Sequence, residues 1–153
     1  MNEAIPPRGR LAGIDYGTVR VGVSLCDEGR ILASPHETYH RADEASDAAY
    51  FQKLVESESV VGFVVGLPLH NSGDESQKSF EARNYGRWLH EQTKLPVVFV
   101  DERFSSAVAE SWLGEAQLTK KKRKSRVDKI AAQVILSSYL ESPGNCQPLP
   151  LDD

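Results

Sequence analysis

Apolar positions recur along this chain with two periods, and the order in which the period changes predicts the fold. Leu11 to Tyr16 and Val19 to Cys26 are β-type runs, and Gly17-Thr18 between them reads as a hairpin turn with glycine where a positive φ is expected. Asp27-Glu28-Gly29-Arg30 reads as a second turn, leading to a third short strand around Ile31 and Leu32 with room to resume past Pro35. Three antiparallel strands are therefore expected to open the fold.

The period then lengthens. From Asp43 to Glu58, the residues Ala48, Phe51, Leu54 and Val55 fall on one face of a helix. Val60 to Leu67 is an almost unbroken apolar run stopped by Gly66-Leu67-Pro68, the pattern of a strand buried on both faces of a sheet. Asp74 to Thr93 returns to helical spacing, with Ala82, Tyr85 and Leu89 on one stripe and Trp88 beside it, and Val97 to Val100 is short and β-branched. Two amphipathic segments close the pattern: Ser105 to Leu118, with Val108, Ala109, Trp112 and Ala116, and Arg126 to Glu141, with Val127, Ile130, Ala131, Val134 and Tyr139.

The order βββαβαβαα, with a right-handed crossover that sets the fourth strand parallel to the first, predicts an α/β domain. Its mixed five-stranded sheet has three antiparallel strands and then two parallel ones, with helices on both faces, which is the ribonuclease H-like plan. One domain is expected over residues 1–142, and the Pro- and Gly-containing end, 143–153, is expected to be a disordered tail. Trp88 and Trp112 fall on apolar stripes and read as core residues rather than base-stacking platforms.

Composition narrows the setting. A chain of 153 residues buries about two-thirds of the surface its unfolded form exposes, so its core needs no metal or disulfide staple. No run approaches the roughly 18 apolar residues of a membrane span, and Met1 to Arg10 carries two prolines where a signal peptide needs an apolar stretch. A cytoplasmic protein with no membrane partner is expected. Cys26 and Cys146 are far apart and neither belongs to a Cys-x-x-Cys pair, which argues against a zinc site or disulfide framework.

Net charge is only −4, but its distribution is uneven. Lys120, Lys121, Lys122, Arg123, Lys124, Arg126 and Lys129 face one acid in their segment, Asp128, while the rest of the chain carries 11 bases against 21 acids. Clustered bases release counterions from a phosphate backbone even when the whole protein is acidic. A solvated charge run is the alternative. The segment is expected to be a mobile loop joining the last two helices.

Three acidic positions stand out. Asp15, in Gly13-Ile14-Asp15-Tyr16-Gly17, ends an apolar strand between glycines that leave room for a ligand; the alternative is a turn-forming Asp. Asp101-Glu102 closes the last strand at the carboxyl-terminal edge, where open α/β sheets bind ligands; the alternative is that both serve a helix dipole. Strand alternation turns only one of the two toward Asp15. Asp128 opens the last helix, and the small Ala131 and Ala132 one turn on let that helix lie close to the sheet. Neighbouring carboxylates repel unless one is protonated or a cation bridges them, and oxygen ligands without His or Cys suit Mg²⁺ or Mn²⁺. His36 and His40, four apart in a Pro-containing segment, read as surface residues.

Four blocks together resemble one family: Gly13-Ile14-Asp15-Tyr16-Gly17-Thr18 with Arg20 and Gly22-Val23; Val65-Gly66-Leu67-Pro68-Leu69; Asp101-Glu102-Arg103; and Val127-Asp128-Lys129-Ile130-Ala131-Ala132-Gln133. In this order, over Leu11 to Leu140, they resemble the YqgF family of Holliday-junction-resolvase-like proteins, also called pre-16S rRNA nucleases. The resemblance implies a ribonuclease H-like, divalent-metal-dependent nuclease that matures the 5′ end of 16S ribosomal RNA in contact with pre-ribosomal particles; the older expectation for the family is cleavage of four-way DNA junctions. It implies Asp15, Asp128 and an acid of the Asp101-Glu102 pair as catalytic residues, with Asp15, Glu102 and Asp128 on the metal. It places Arg20 and the Lys120–Lys124 run with Arg126 on nucleic acid. The chain departs from the family after Leu69, where His70-Asn71-Ser72-Gly73 replaces the usual Asn-x-Asp-Gly. Asp-Tyr-Gly-Thr also resembles the first phosphate loop of actin-like ATPases, but those need two such domains and a second glycine-rich loop. A noncatalytic nucleic-acid-binding module is the remaining alternative, and its mark, loss of one of the acids, is absent from this sequence.

Overall fold

The computed structural model of the chain describes residues 5–68, 76–101 and 120–148, and of residues 120–125, 145 and 148 the backbone alone. Its elements in chain order are β1 (Arg10–Asp15), β2 (Arg20–Cys26), β3 (Ala33–His40), α1 (Glu44–Glu58), β4 (Val60–Leu67), α2 (Gln77–Thr93), β5 (Val97–Asp101), α3 (Lys120–Glu141) and a short β6 (Gln147–Pro148). They form one sheet of order β3-β2-β1-β4-β5-β6. β1, β2 and β3 pair antiparallel, while β4 and then β5 join parallel to β1. The expected five-stranded plan is present.

Three details differ from expectation. The third strand begins at Ala33, after Ile31 and Leu32, which stand exposed in the preceding turn. The Asp27 carboxylate accepts from the amides of both, at 2.9 and 2.7 Å, and so closes a turn where apolar character suggested a strand. The first part of the expected disordered tail is ordered: Pro143–Asn145 makes one turn of 3-10 helix and Gln147–Pro148 pairs antiparallel with β5, a sixth strand. The basic segment expected as a loop is helical from Lys120, continuous with α3. The helix expected over Ser105 to Leu118, with Trp112, lies outside the described residues.

Local chemistry sets the helix ends. The Asp43 carboxylate accepts from the Ser46 amide at 2.7 Å to cap α1, which lowers its pKa. In α2, Ser76 and Ser79 form a reciprocal capping box.

The strands sort their side chains by alternation onto two faces. On one, α1 and α2 place Phe51, Leu54, Tyr85 and Leu89 against Ile14, Val23, Phe63, Val65 and Phe99. On the other, Ile135, Leu136 and Tyr139 of α3 pack on Leu11, Val64, Val98 and Val100. The buried stripe of α3 is thus Ala131, Ala132, Ile135, Leu136 and Tyr139, and Val127, Ile130 and Val134 are half-buried beside it. No helix among the described residues is long and apolar enough to cross a membrane.

Candidate active site

The site is built where α3 crosses β1 and β2. A methyl group on Gly13 would stand 2.6 Å from the Ala132 carbonyl, and one on Gly22 would run into the backbone carbonyl of Asp128. Two strand positions without side chains therefore let α3 settle on the sheet at backbone distance. The Ser24 hydroxyl fixes the helix there by donating to the Ala132 carbonyl at 2.7 Å, fully buried.

This docking sets the Asp128 backbone against the strand that pairs with the end of β1. Asp15, the last residue of β1, lies across from Gly22, the residue beneath Asp128. Asp15 shares its face of β1 with Gly13, two residues back, and Asp128 stands one helical turn before Ala132. Alternation thus sets Asp15 on the sheet face that α3 covers, near the end where Asp128 lies.

Arg20 sits beside Asp128. Its Nε donates to Asp128 Oδ2 at 2.6 Å, with 31% of the Arg20 side chain and 18% of the Asp128 side chain exposed. Arg20 was expected on nucleic acid, and the ion pair adds a contact with Asp128 to that expectation.

Asp101 belongs to β5. It ends β5 opposite Leu67, and since Val98 and Val100 face α3, Asp101 continues the alternate row of Val97 and Phe99 on the α2 face. The strand turns it away from Asp15 and Asp128. Glu102 lies outside the described residues. Among the described residues no three His, Cys, Asp or Glu side chains group closely enough to hold a metal. Asp15 and Asp128 nevertheless fit a hard cation in kind, because both offer carboxylate oxygens. His36 and His40 lie exposed on β3, as expected.

A concavity opens on the opposite face. Tyr16, next to Asp15, lines a cleft of about 400 Å³ between β1, α1 and α2 together with Arg41, Glu44, Glu81, Tyr85 and Trp88. The Arg41 guanidinium lies 5.5 Å from the Tyr16 ring centre and 5.1 Å from that of Tyr85, and donates to the Gly17 carbonyl at 3.0 Å. At its back the buried Asp47 accepts from the Tyr39 hydroxyl at 2.7 Å and the Ala42 amide at 2.9 Å. Burial and this hydrogen bond push the Tyr39 phenol up to about 12. Trp88, expected in the core, is half-buried on the rim, stacked on Tyr85 at 5.3 Å with its Nε1 donating to Glu44 at 3.1 Å. The available signal was strand alternation: with Asp15 on one face, Tyr16 belongs on the other.

Comparison with known proteins agrees with this architecture. The family described as RuvX, Holliday junction resolvase, matches residues 9–142. A protein of Rhodopirellula baltica named "Putative pre-16S rRNA nuclease" is 48% identical over 140 residues, covering 92% of this chain and 81% of its own. A relative of the same name from Neisseria gonorrhoeae is 42% identical over 141 residues, covering 92% and 93%. One from Koribacter versatilis is 36% identical over 151 residues, covering 99% of each. Among solved structures, Thermus thermophilus RuvC in complex with a Holliday junction substrate superposes with a TM-score of 0.54 at 15% identity, covering 92% of this chain and 99% of that one. That likeness is one of fold, and it agrees with the ribonuclease H-like plan.

Proposed function

The chain belongs to the RuvX family, and from that premise, with α3 docked over the strand that pairs with Asp15, we propose that it is a nuclease that hydrolyses phosphodiester bonds, maturing the 5′ end of pre-16S ribosomal RNA. The docking of α3 over Gly22, the strand partner of Asp15, which sets the Asp128 backbone there, is the observation that carries this reading. Its place of action is the cytoplasm, on pre-ribosomal particles.

Asp15 and Asp128, with Glu102 as the third ligand, would hold Mg²⁺ or Mn²⁺, which when bound activates water and offsets the charge developing on the phosphodiester. The chain's own residues prepare that chemistry. Arg20 orients the Asp128 carboxylate and offsets part of the repulsion between two neighbouring acids. Lys120 to Lys124 and Arg126, on the first turns of α3 ahead of Asp128, supply the positive charge by which an acidic protein holds a polyanion. Glu102 is favoured over Asp101 as the third acid because its longer side chain tolerates a less exact strand end.

A cleavage panel tests this: a precursor 16S fragment, single-stranded RNA, single-stranded DNA and a four-way junction, each with Mg²⁺ and with Mn²⁺. RNA cleavage is expected, lost in folded Asp15→Asn, Asp128→Asn and Glu102→Gln proteins and largely kept in Asp101→Asn. Full activity in folded Asp15→Asn protein overturns the assignment. The family description favours a second reading, resolution of branched DNA, and faster cleavage of the junction than of RNA selects it. Binding without cleavage of any substrate selects a noncatalytic module.

A further inference from the structure

The cleft beside Tyr16 has the walls and edges of a base-binding site. Its walls are flat and aromatic: the rings of Tyr16 and Tyr85 lie 5.1 Å apart, and Tyr85 stacks on Trp88 at 5.3 Å with 29° between planes. The guanidinium plane of Arg41 lies over two of these rings. Its edges are acceptors. Glu81 accepts from the Tyr16 hydroxyl at 3.1 Å and from Gln77 at 3.2 Å, and Glu44 accepts from Trp88, so each carboxylate keeps acceptor capacity. Asn84 is exposed at the mouth. One polar atom is unmatched: Tyr85 is 6% exposed, lines the cleft, and its buried hydroxyl has no hydrogen-bond partner among the described residues.

Charge decides the class of guest. With Arg41 set against the buried Asp47, at 3.8 Å, the cleft retains Glu44 and Glu81, which repel a phosphate and attract N–H donors. A planar group with apolar faces and donors along one edge is a nucleobase. Guanine presents an imino N–H and an amino group side by side to a carboxylate, adenine and cytosine present one amino group, and uracil flanks its single N–H with carbonyls that a carboxylate repels.

Position supplies the strand. Asp15 and Tyr16 are adjacent residues on opposite faces at the end of β1. A nucleic-acid strand crossing that end with its backbone at Asp15 has the Tyr16 cleft within reach of a neighbouring base. We propose that this cleft receives one unpaired base of the substrate strand, guanine by preference, between Tyr16, Trp88 and Arg41, with its donor edge on Glu81. The assignment rests on the nuclease reading and adds a specificity determinant to it.

The test is equilibrium binding in chelator, so that no cleavage intervenes. Short uridine-rich RNAs carrying a single central guanine, adenine, cytosine, uracil or abasic residue are titrated with the full-length protein and followed by fluorescence anisotropy. Guanine is expected to bind about tenfold more tightly than the abasic strand, a factor in the range of one stacked base. Glu81→Gln should remove the preference for guanine while leaving the abasic strand's affinity unchanged, and Trp88→Ala should bring every strand to the abasic level. Because Trp88→Ala can loosen α2, the conservative Glu81→Gln carries the decision, with its circular dichroism matched to the parent. Equal affinity for all five RNAs overturns the proposal. So does an arginine-rich peptide that binds here while the RNAs remain equal, which would make the cleft a protein-docking site. Failure to bind any RNA overturns the nuclease reading as well, a result separable from the others because binding of the abasic strand then fails too.

Discussion

Arg20 Nε donates to Asp128 Oδ2 at 2.6 Å, tying the start of β2 to the first turns of α3 across 108 positions of sequence. The pair is half-shielded from solvent, so its expected contribution lies between that of an exposed pair and that of a buried one, about 1 to 2 kcal/mol. Urea denaturation of Arg20→Ala measures it. The kinetic split is more informative. If Arg20 holds Asp128, its removal should lower kcat with KM nearly unchanged, whereas removal of a phosphate ligand would raise KM and flatten its salt dependence. Arg20→Lys should rescue little, because an ammonium does not reproduce the guanidinium's directed Nε–H.

Gly22→Ala asks whether α3 must touch the sheet for the acids to meet. The added methyl runs into the Asp128 carbonyl, a backbone atom that moves only with the helix. Overpacking of this kind costs about 1 to 3 kcal/mol. Cleavage is expected to fall more than stability does, since the displaced residue is Asp128 itself. Parallel thermal melts and single-turnover rates separate the two, and equal rates in variant and parent would disconnect α3 docking from catalysis.

The basic turns of α3 can be probed by charge neutralisation that preserves helix propensity. Changing Lys121, Lys122 and Arg123 together to Gln should weaken RNA binding and reduce the slope of log affinity against log salt by roughly 0.7 to 0.9 for each phosphate that is no longer neutralised. Stability should move by no more than about 0.5 kcal/mol, as for other surface charges. An unchanged slope returns the segment to a solvated charge run.

Tyr39 gives an alkaline signature. Its phenol titrates at about 12 in the folded protein, above its ordinary value of 10, through burial and donation to Asp47. A raised value means that the folded state holds the proton longer, so this stabilisation is fully present below pH 10 and is lost as pH rises through about 12. The stability difference between the parent and Tyr39→Phe should therefore shrink over that interval. Denaturant titrations at several alkaline pH values measure it, and a constant difference contradicts the assignment.

The two-period apolar pattern was enough to reveal the sheet, its order and the helices on both faces, because burial on alternate sides leaves a direct trace in sequence. Asp15 was legible as an acid at a strand end, whereas Asp128, read as opening the last helix, lies about two turns into it because α3 starts at Lys120. What escaped depended on the meeting of distant segments. The Arg20–Asp128 pair exists only because α3 lies against β2, and Ile31 and Leu32 looked like a strand until the Asp27 carboxylate claimed their amides. Nothing local to Tyr16, Arg41, Glu81 or Trp88 shows that α1, α2 and the end of β1 enclose a cleft. The pairing of Gln147–Pro148 with β5 was hidden because a two-residue strand has no period to read.

The bare α-carbon of Gly13 also settles an ambiguity of strand register. β1 is apolar on both faces, with Leu11 on one and Ala12 and Ile14 on the other, so burial alone scarcely distinguishes its register from one shifted by a single residue. Such a slip exchanges the faces of every side chain, carrying Asp15 to the cleft and Tyr16 to α3. It would also push the side chain of Ala12 or Ile14 into the Ala132 carbonyl, where only a hydrogen fits. A position that contributes no functional group therefore determines which side of the sheet receives the acid and which receives the ring.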